Sequence, residues 1–250
     1  MNESIWRGKH GPLLIAEIGG NHEGDFEYAK KLSKLAIEAD VDFIKFQLYT
    51  GDGLVNPLES ASRNEHFKKF ELSQENHLEL AKLCKKNLVG YAASVWQEDF
   101  FPWINDYLDF YKIGSGDLTA YPILKKIAGI GKPILLSTGL ATESEVIESV
   151  KFIQKINPDY TKEGRLALLQ CTSMYPINHS DAHLNVMDRL RKITNLSHVG
   201  YSDHTIGIDA LKYAYAMKAD VLEFHFTDNR QNRSFRDHTV SLTKADVENL

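Results

Sequence analysis

Eight apolar, β-rich runs of strand length recur along the chain, at 13–18, 43–48, 89–94, 110–113, 134–137, 166–171, 199–202 and 221–226. Helical patterns fill the intervals. Tyr28, Leu32, Leu35, Ala36 and Ala39 repeat at helical spacing after the first run, and the segment opening Ala141-Thr142 does so after the fifth. There Thr142 and Glu145 fit a capping box, and Thr119 is a second candidate cap. Alternation of strands and helices implies parallel pairing, and continuous apolarity implies strands buried on both faces. Eight such units close a (β/α)8 TIM barrel, one α/β domain over residues 1–250. A doubly wound open sheet is the alternative, weakened because the glycine-rich dinucleotide fingerprint is missing.

Seven prolines and sixteen glycines are scattered, so no linker divides the chain. A net charge of −5 argues against nucleic acid, which needs clustered Lys and Arg. No apolar run approaches membrane-spanning length, so no membrane partner is expected. The opening residues 1–6 lack a basic stretch followed by an apolar core, so no secretory signal is expected. The two cysteines, Cys84 and Cys171, fall in helix-like and strand-like runs and suit reduced buried thiols. A cytoplasmic location follows from these readings. Residues 50–72 lack a clear period and are expected to be a lid, a binding loop or disordered. The last helix starts near Thr243 and stops at Leu250 after about two turns, which suggests a trimmed chain.

Almost every predicted strand ends in polar side chains. Glu17 closes the first, Lys45 and Gln47 the second, Ser94 the third, and Lys112 with Ser115 the fourth. Ser137 and Thr138 follow the fifth, Thr172, Ser173 and Tyr175 the sixth, Ser202, Asp203 and His204 the seventh, and Glu223 and His225 the eighth. In a parallel barrel these ends share one mouth. A lysine inside a buried strand must face a polar mouth or a counter-ion, so Lys45 and Lys112 mark a site for a small phosphate- and carboxylate-bearing ligand. Gly114, Gly116 and Gly139 would let backbone amides approach it. His204 and His225 converge as candidate ligands of a divalent metal.

Blander readings stand beside these. A strand lysine is often just an ion-pair partner, hydroxyls often cap helices, and Glu223 could simply pair with Lys45 or Lys112. His204 could open a helix without holding a ligand. His66, His77, His179, His183 and His198 are assigned to solvent or loops, whereas His22 lies nearer the mouth.

At these residues the chain resembles the sialic acid synthase family. The motifs run from Ile-Ala-Glu-Ile-Gly-Gly-Asn-His-Glu-Gly at 15–24 through Ile-Lys-Phe-Gln at 44–47, Tyr-Lys-Ile-Gly-Ser-Gly at 111–116 and Leu-Ser-Thr-Gly at 136–139. Cys-Thr-Ser-Met-Tyr-Pro at 171–176, Gly-Tyr-Ser-Asp-His-Thr at 200–205, Glu-Phe-His-Phe-Thr at 223–227 and Asp-His-Thr-Val-Ser-Leu at 237–242 complete them. The resemblance implies a TIM barrel that condenses phosphoenolpyruvate with an N-acylmannosamine-type aldose or its 6-phosphate, giving a nonulosonic acid and phosphate. It implies that His204 and His225 hold a divalent ion, manganese first, with magnesium or cobalt as alternatives. Lys45, Lys112, Ser94, Ser115, Ser137, Ser173 and Ser202 would surround phosphoenolpyruvate, and Glu17, Gln47, Tyr175 and Asp237 would face the amino sugar. Glu17, Lys45, Lys112 and Asp237 are the expected catalytic residues, with Glu223 and Arg236 in the substrate-binding set.

Three departures stand out. Phe224 replaces a basic residue usual in the family, and Phe235-Arg236-Asp237 replaces Gly-Pro-Asp in a connection one residue longer. The family's small C-terminal antifreeze-like domain, whose arginine reaches a partner subunit's active site, is expected to be missing from this chain. Arg233 or Arg236 is expected to supply that positive group, unless both simply face water. A homodimer stays open. Competing readings are a 3-deoxy sugar-acid synthase on another aldose, a metal-dependent barrel hydrolase, and a non-catalytic sugar-binding barrel.

Overall fold

The computed structural model describes residues 5–250, so most of the opening segment read for a signal lies outside the described residues. In chain order the elements are β1 (Arg7–Gly8), β2 (Gly11–Glu17), α1 (Phe26–Glu38), β3 (Phe43–Leu48), α2 (Gly51–Leu54), α3 (Ala61–Phe70), α4 (Gln74–Lys86), β4 (Gly90–Val95), α5 (Phe101–Ile104) and β5 (Tyr111–Ile113). They continue with α6 (Tyr121–Ile130), β6 (Ile134–Ser137), α7 (Glu143–Ile156), β7 (Leu166–Cys171), α8 (Val186–Thr194), β8 (Val199–Asp203), α9 (Asp209–Ala216), β9 (Val221–His225) and α10 (Lys244–Glu248). Strands β2 to β9 pair in parallel in sequence order, and β2 pairs with β9, which closes an eight-stranded (β/α)8 barrel. The open-sheet alternative therefore falls.

The continuous apolar strands have a simple cause. Their outward residues pack under the helices, and their inward residues fill the barrel. Leu13, Ile15, Phe43, Ala92, Phe110, Leu135, Ala167, Leu169 and Val221 form an inner cluster closed by Trp6, whose ring lies 5.4 Å from that of Phe110. The short β1–β2 hairpin that brings Trp6 there was not foreseen. Two residues beyond Ile15, Phe43, Ala92, Phe110, Leu135 and Val221 the inward position turns polar, because side chains alternate faces and the next layer opens to solvent. Phe224 points the other way, into the outer core, so a basic residue is not needed there.

Helix ends follow local chemistry. Thr142 and Glu145 form the expected capping box on α7, and Thr243 with Asp246 forms another on α10. Thr119 does not cap: α6 starts from Ala120 without a side-chain bond. Residues 50–72 are not a structureless lid, since they contain α2 and α3. Asn64 fastens them, donating to the carbonyls of Gly51 and Val55 and to Asp52. Both cysteines are free and buried. Among the described residues no helix is long and apolar enough to cross a membrane.

Candidate active site

The barrel mouth holds a cavity of about 780 Å³, and the fifteen residues expected to be catalytic, substrate-binding or metal-ligating all line it. Strand register explains the convergence. Glu17 is level with both Lys45 and His225, Gln47 with Ser94, Ser94 with Lys112, and Ser202 with Glu223.

A buried charge network forms the floor. Lys45 pairs closely with Glu17, and its ammonium lies 3.9 Å from Glu223. Lys112 approaches the other oxygen of Glu223 at 3.7 Å and donates to Ser137 Oγ at 2.7 Å. Ser202 donates to Glu223 at 2.9 Å, and Gln47 to Glu17 at 3.0 Å. Burial would raise the Glu223 pKa, but Lys112 and then Lys45 outweigh it and hold the carboxyl below its ordinary value. Burial pulls the Lys45 pKa down, yet Glu17 and Glu223 bring it above normal. At Lys112 burial wins over Glu223, with Lys45 adding repulsion, and the pKa falls. The expectation that a strand lysine needs a counter-ion holds at both positions: Glu17 first and then Glu223 for Lys45, and Glu223 for Lys112.

The imidazoles stand beside this network, with ring centres 5.5 Å apart. His204 lies just beyond β8, outside any helix, and its Nδ1 donates to the Thr172 carbonyl at 2.7 Å. That bond places the proton on Nδ1 and leaves Nε2 as a lone-pair donor. Burial, reinforced by His225, lowers the His204 pKa to about 3, so the ring is neutral. Nδ1 of His225 is buried without a hydrogen-bond partner, 3.9 Å from Asp237. Asp237 in turn accepts from Arg236 at 2.8 Å, and the Arg236 guanidinium lies 4.1 Å from the Tyr175 ring centre. The Tyr175 ring then lies tilted against His204, with centres 3.8 Å apart. Among the described residues no three of His, Cys, Asp or Glu converge as a metal cluster. Two buried imidazoles, one of them neutral with its tautomer set, still fit a divalent ion whose other positions go to water or substrate.

Only one glycine of the hydroxyl rim needs to be glycine. A Cβ at Gly139 would meet Ser173 Oγ at 2.4 Å and Ser115 Oγ at 2.8 Å, whereas Gly116 has open space and Gly114 an ordinary contact. The Gly139 amide donates to Ser115 Oγ at 3.0 Å, so this amide holds a hydroxyl. Three polar strand-end residues are tied off elsewhere. Thr138 donates to the Leu169 carbonyl, Thr172 to the Asp181 carbonyl, and Asp203 accepts from Tyr201 and Thr205.

Several assignments change. Arg233 does not reach the cavity; it pairs with Asp228 at 2.7 Å over the Tyr28 ring, leaving Arg236 alone at the mouth. His77 is buried on α4 against Tyr91 OH at 2.8 Å, His22 is buried, and His66 lines the mouth. Sequence reasoning missed Trp96, whose Nε1 donates to Asp117 at 2.6 Å, and missed Leu54, Phe67 and Phe235. Trp96 directly follows β4 and could have been found by extending the strand-end rule by one residue.

A closed parallel barrel with paired lysines, carboxylates and imidazoles at its strand ends belongs to the class of TIM barrels that process small polar molecules at that mouth. Within that class the chain belongs to the NeuB family, whose model matches residues 32–250. It is 35% identical over 251 residues to the N,N'-diacetyllegionaminic acid synthase of Campylobacter jejuni, covering 95% of this chain and 74% of that protein. It is 31% identical over 255 residues to the N-acetylneuraminate-9-phosphate synthase of Mus musculus, covering 97% and 69%. The crystal structure of N-acetylneuraminic acid synthetase from Leptospira borgpetersenii in complex with citrate superposes with a TM-score of 0.86 at 27% identity, over 95% of this chain and 80% of that one.

Proposed function

We propose that this barrel joins phosphoenolpyruvate to an acylamino aldose, or its 6-phosphate, giving a nonulosonic acid and inorganic phosphate. One observation carries the reading: Glu223 sits between two buried lysines, Lys45 and Lys112, at the foot of a cavity that also holds His204 and His225. An anion entering there meets ammonium groups in a low-dielectric setting, with the hydroxyls of Ser94, Ser115, Ser137, Ser173 and Ser202 around it. The relatives' names support the product class and differ in the sugar.

His204 and His225 would hold the divalent ion, manganese first, with magnesium or cobalt as alternatives. Bound there, it supplies Lewis-acid polarisation of a carbonyl. The remaining work falls to side chains. Lys112 and Lys45 neutralise the phosphate and carboxylate of phosphoenolpyruvate, and Ser137 orients Lys112. Gln47, Tyr175 and Asp237 position the open-chain sugar so that C3 of phosphoenolpyruvate bonds to the aldehyde carbon, whose oxygen takes up a proton. Water then adds at C2 and gives a proton to Glu17, with Asp237 as the second candidate. The C2–O bond to phosphate breaks, phosphate leaves with the electron pair and takes up the proton of the C2 hydroxyl, and C2 becomes a ketone. Arg236, resting on Tyr175 beside Asp237, provides the positive group at the sugar end.

The test is phosphate release from phosphoenolpyruvate with Mn2+ across N-acyl hexosamines, their 6-phosphates and other aldoses. Release with acylmannosamine-type sugars is expected. Release with none defeats the proposal, and preference for an unacylated aldose shifts it to a 3-deoxy sugar-acid synthase.

A further inference from the structure

The cavity has two unlike halves. At the strand ends it presents Lys45, Lys112, Ser94, Ser137 and the hydroxyls around Gly139. Above them, the flank built by α3 and by the segments that follow β3, β4 and β9 is aromatic. Trp96 packs on Tyr49 with centres 5.4 Å apart, and Tyr49 meets the edge of Phe67 at 5.6 Å. Phe67 contacts His66 at 5.5 Å, and His66 stacks with Phe235 at 6.3 Å. Phe235 is itself braced by Phe70 at 4.8 Å. These rings join α3 to the connection after β9 as one continuous wall.

The wall stands directly against the polar pair Glu17–Gln47. A Cβ at Gly20 would lie 2.6 Å from the Phe235 ring, and one at the preceding Gly19 would lie 2.9 Å from Glu17 and 3.4 Å from Gln47. Phe235 thus lies across the Gly20 backbone, beside the residues given to the sugar. A helix as polar as α3 gains little by presenting Phe67 to a wet cavity, and an aromatic flank is the ordinary means by which a pocket binds apolar ligand surface. Phosphoenolpyruvate carries charge at both ends and suits the lysine half. The second substrate must therefore bring the apolar group.

We propose that Phe67 and Phe235 form the subsite for the acyl group on the aldose's amino substituent, so that these residues select acylamino aldoses over their hydroxyl counterparts. This rests on the synthase reading for its substrate class. The acyl methyl packs on the ring faces while Glu17 and Gln47 bond the sugar's polar groups. Phe235 narrows the subsite from the β9 side.

The experiment compares N-acetylmannosamine with mannose in wild type, Phe67→Ala and Phe235→Leu, measuring kcat/KM by phosphate release at saturating phosphoenolpyruvate. Both variants are expected to lower the acetylated-to-hydroxyl ratio about tenfold or more through KM, the range that a methyl-sized contact supports. A ratio within about twofold of wild type in both folded variants overturns the proposal. Tryptophan fluorescence titrations with the same two sugars give a second readout that needs no turnover. Tighter binding of N-acetylmannosamine to wild type, lost in the variants, supports the subsite; equal binding of both sugars overturns it, even if the variants do not fold. Should no aldose release phosphate, the synthase reading fails while the titrations still decide the wall.

Discussion

His204 donates from Nδ1 to the main-chain carbonyl of Thr172 at 2.7 Å, and burial keeps its ring neutral. The side chain therefore reaches the cavity as a fixed-tautomer Nε2 donor that needs no deprotonation at neutral pH. His225, 5.5 Å away between ring centres, is the second ring of the proposed two-imidazole ion site. Replacing outer-shell partners costs roughly 10–100-fold in metal affinity, so losing a ligand should cost at least about 100-fold. His204→Ala and His225→Ala are expected to lose Mn2+ binding by that margin in chelator competition. An affinity within about threefold of wild type removes these residues from the metal site.

Glu223 separates Lys45 from Lys112, and Glu223→Gln leaves two buried ammonium groups facing Glu17 alone. Removing one partner of a buried ion pair typically costs about 3–5 kcal/mol, because the remaining charge is left uncompensated. Urea unfolding at pH 7 should show a loss of that order. The Glu223 pKa is lowered in the folded state, so its contribution is present above the ordinary carboxyl pKa and fades as pH falls through the folded value. The gap between Glu223→Gln and wild type is therefore expected to narrow in acid. A gap that stays constant as the pH is taken from 7 to well below the ordinary carboxyl value of 4.5 contradicts the assignment of the stabilisation to charge.

Gly139 lies where the rim is tightest. An added methyl would press on Ser115 and Ser173 and on the Cys171 carbonyl 3.0 Å away. Overpacking of this kind costs about 1–3 kcal/mol, and here the displaced groups are the hydroxyls assigned to phosphoenolpyruvate. Gly139→Ala is expected to raise KM for phosphoenolpyruvate at least about tenfold, while Gly116→Ala, with open space around it, changes KM less than twofold. Equal KM values for the two variants would show that the rim tolerates movement.

What sequence alone reveals here depends on the range of the forces. Inward residues of a closed barrel must change from apolar to polar where the interior opens, so Glu17, Lys45, Lys112, Ser202 and Glu223 are visible as violations of apolar runs. The α3 wall was hidden because Phe67 and Phe235 meet only through tertiary packing, and α3 carries too few apolar residues to show a helical period. Arg233 and Arg236 are equivalent as letters. The loop separates them by giving one to Asp228 and the other to Asp237. His77 escaped notice because its burial depends on Tyr91, which lies on β4.

His77 provides a pH test independent of the active chemistry. Burial, and secondarily His22, lowers its pKa from 6.5 to about 3, and its Nδ1 shares a 2.8 Å hydrogen bond with Tyr91 OH. Between those two values the unfolded chain binds a proton at this ring that the folded chain does not. Stability therefore rises with pH across the window and is lost as pH falls from about 6.5 towards 3. One such histidine contributes a slope of about 1.4 kcal/mol per pH unit once its unfolded form is protonated. His22, lowered to about 4, and His204 add to it, so the wild type should lose stability steeply below pH 6. His77→Gln is expected to be about 1–3 kcal/mol less stable at pH 7 through loss of the buried hydrogen bond, yet to show a shallower slope, by about one proton at pH 5. Urea unfolding at pH 7, 6 and 5 gives that slope directly, and parallel curves for the two proteins would mean that His77 is already solvated and titrates normally in the fold.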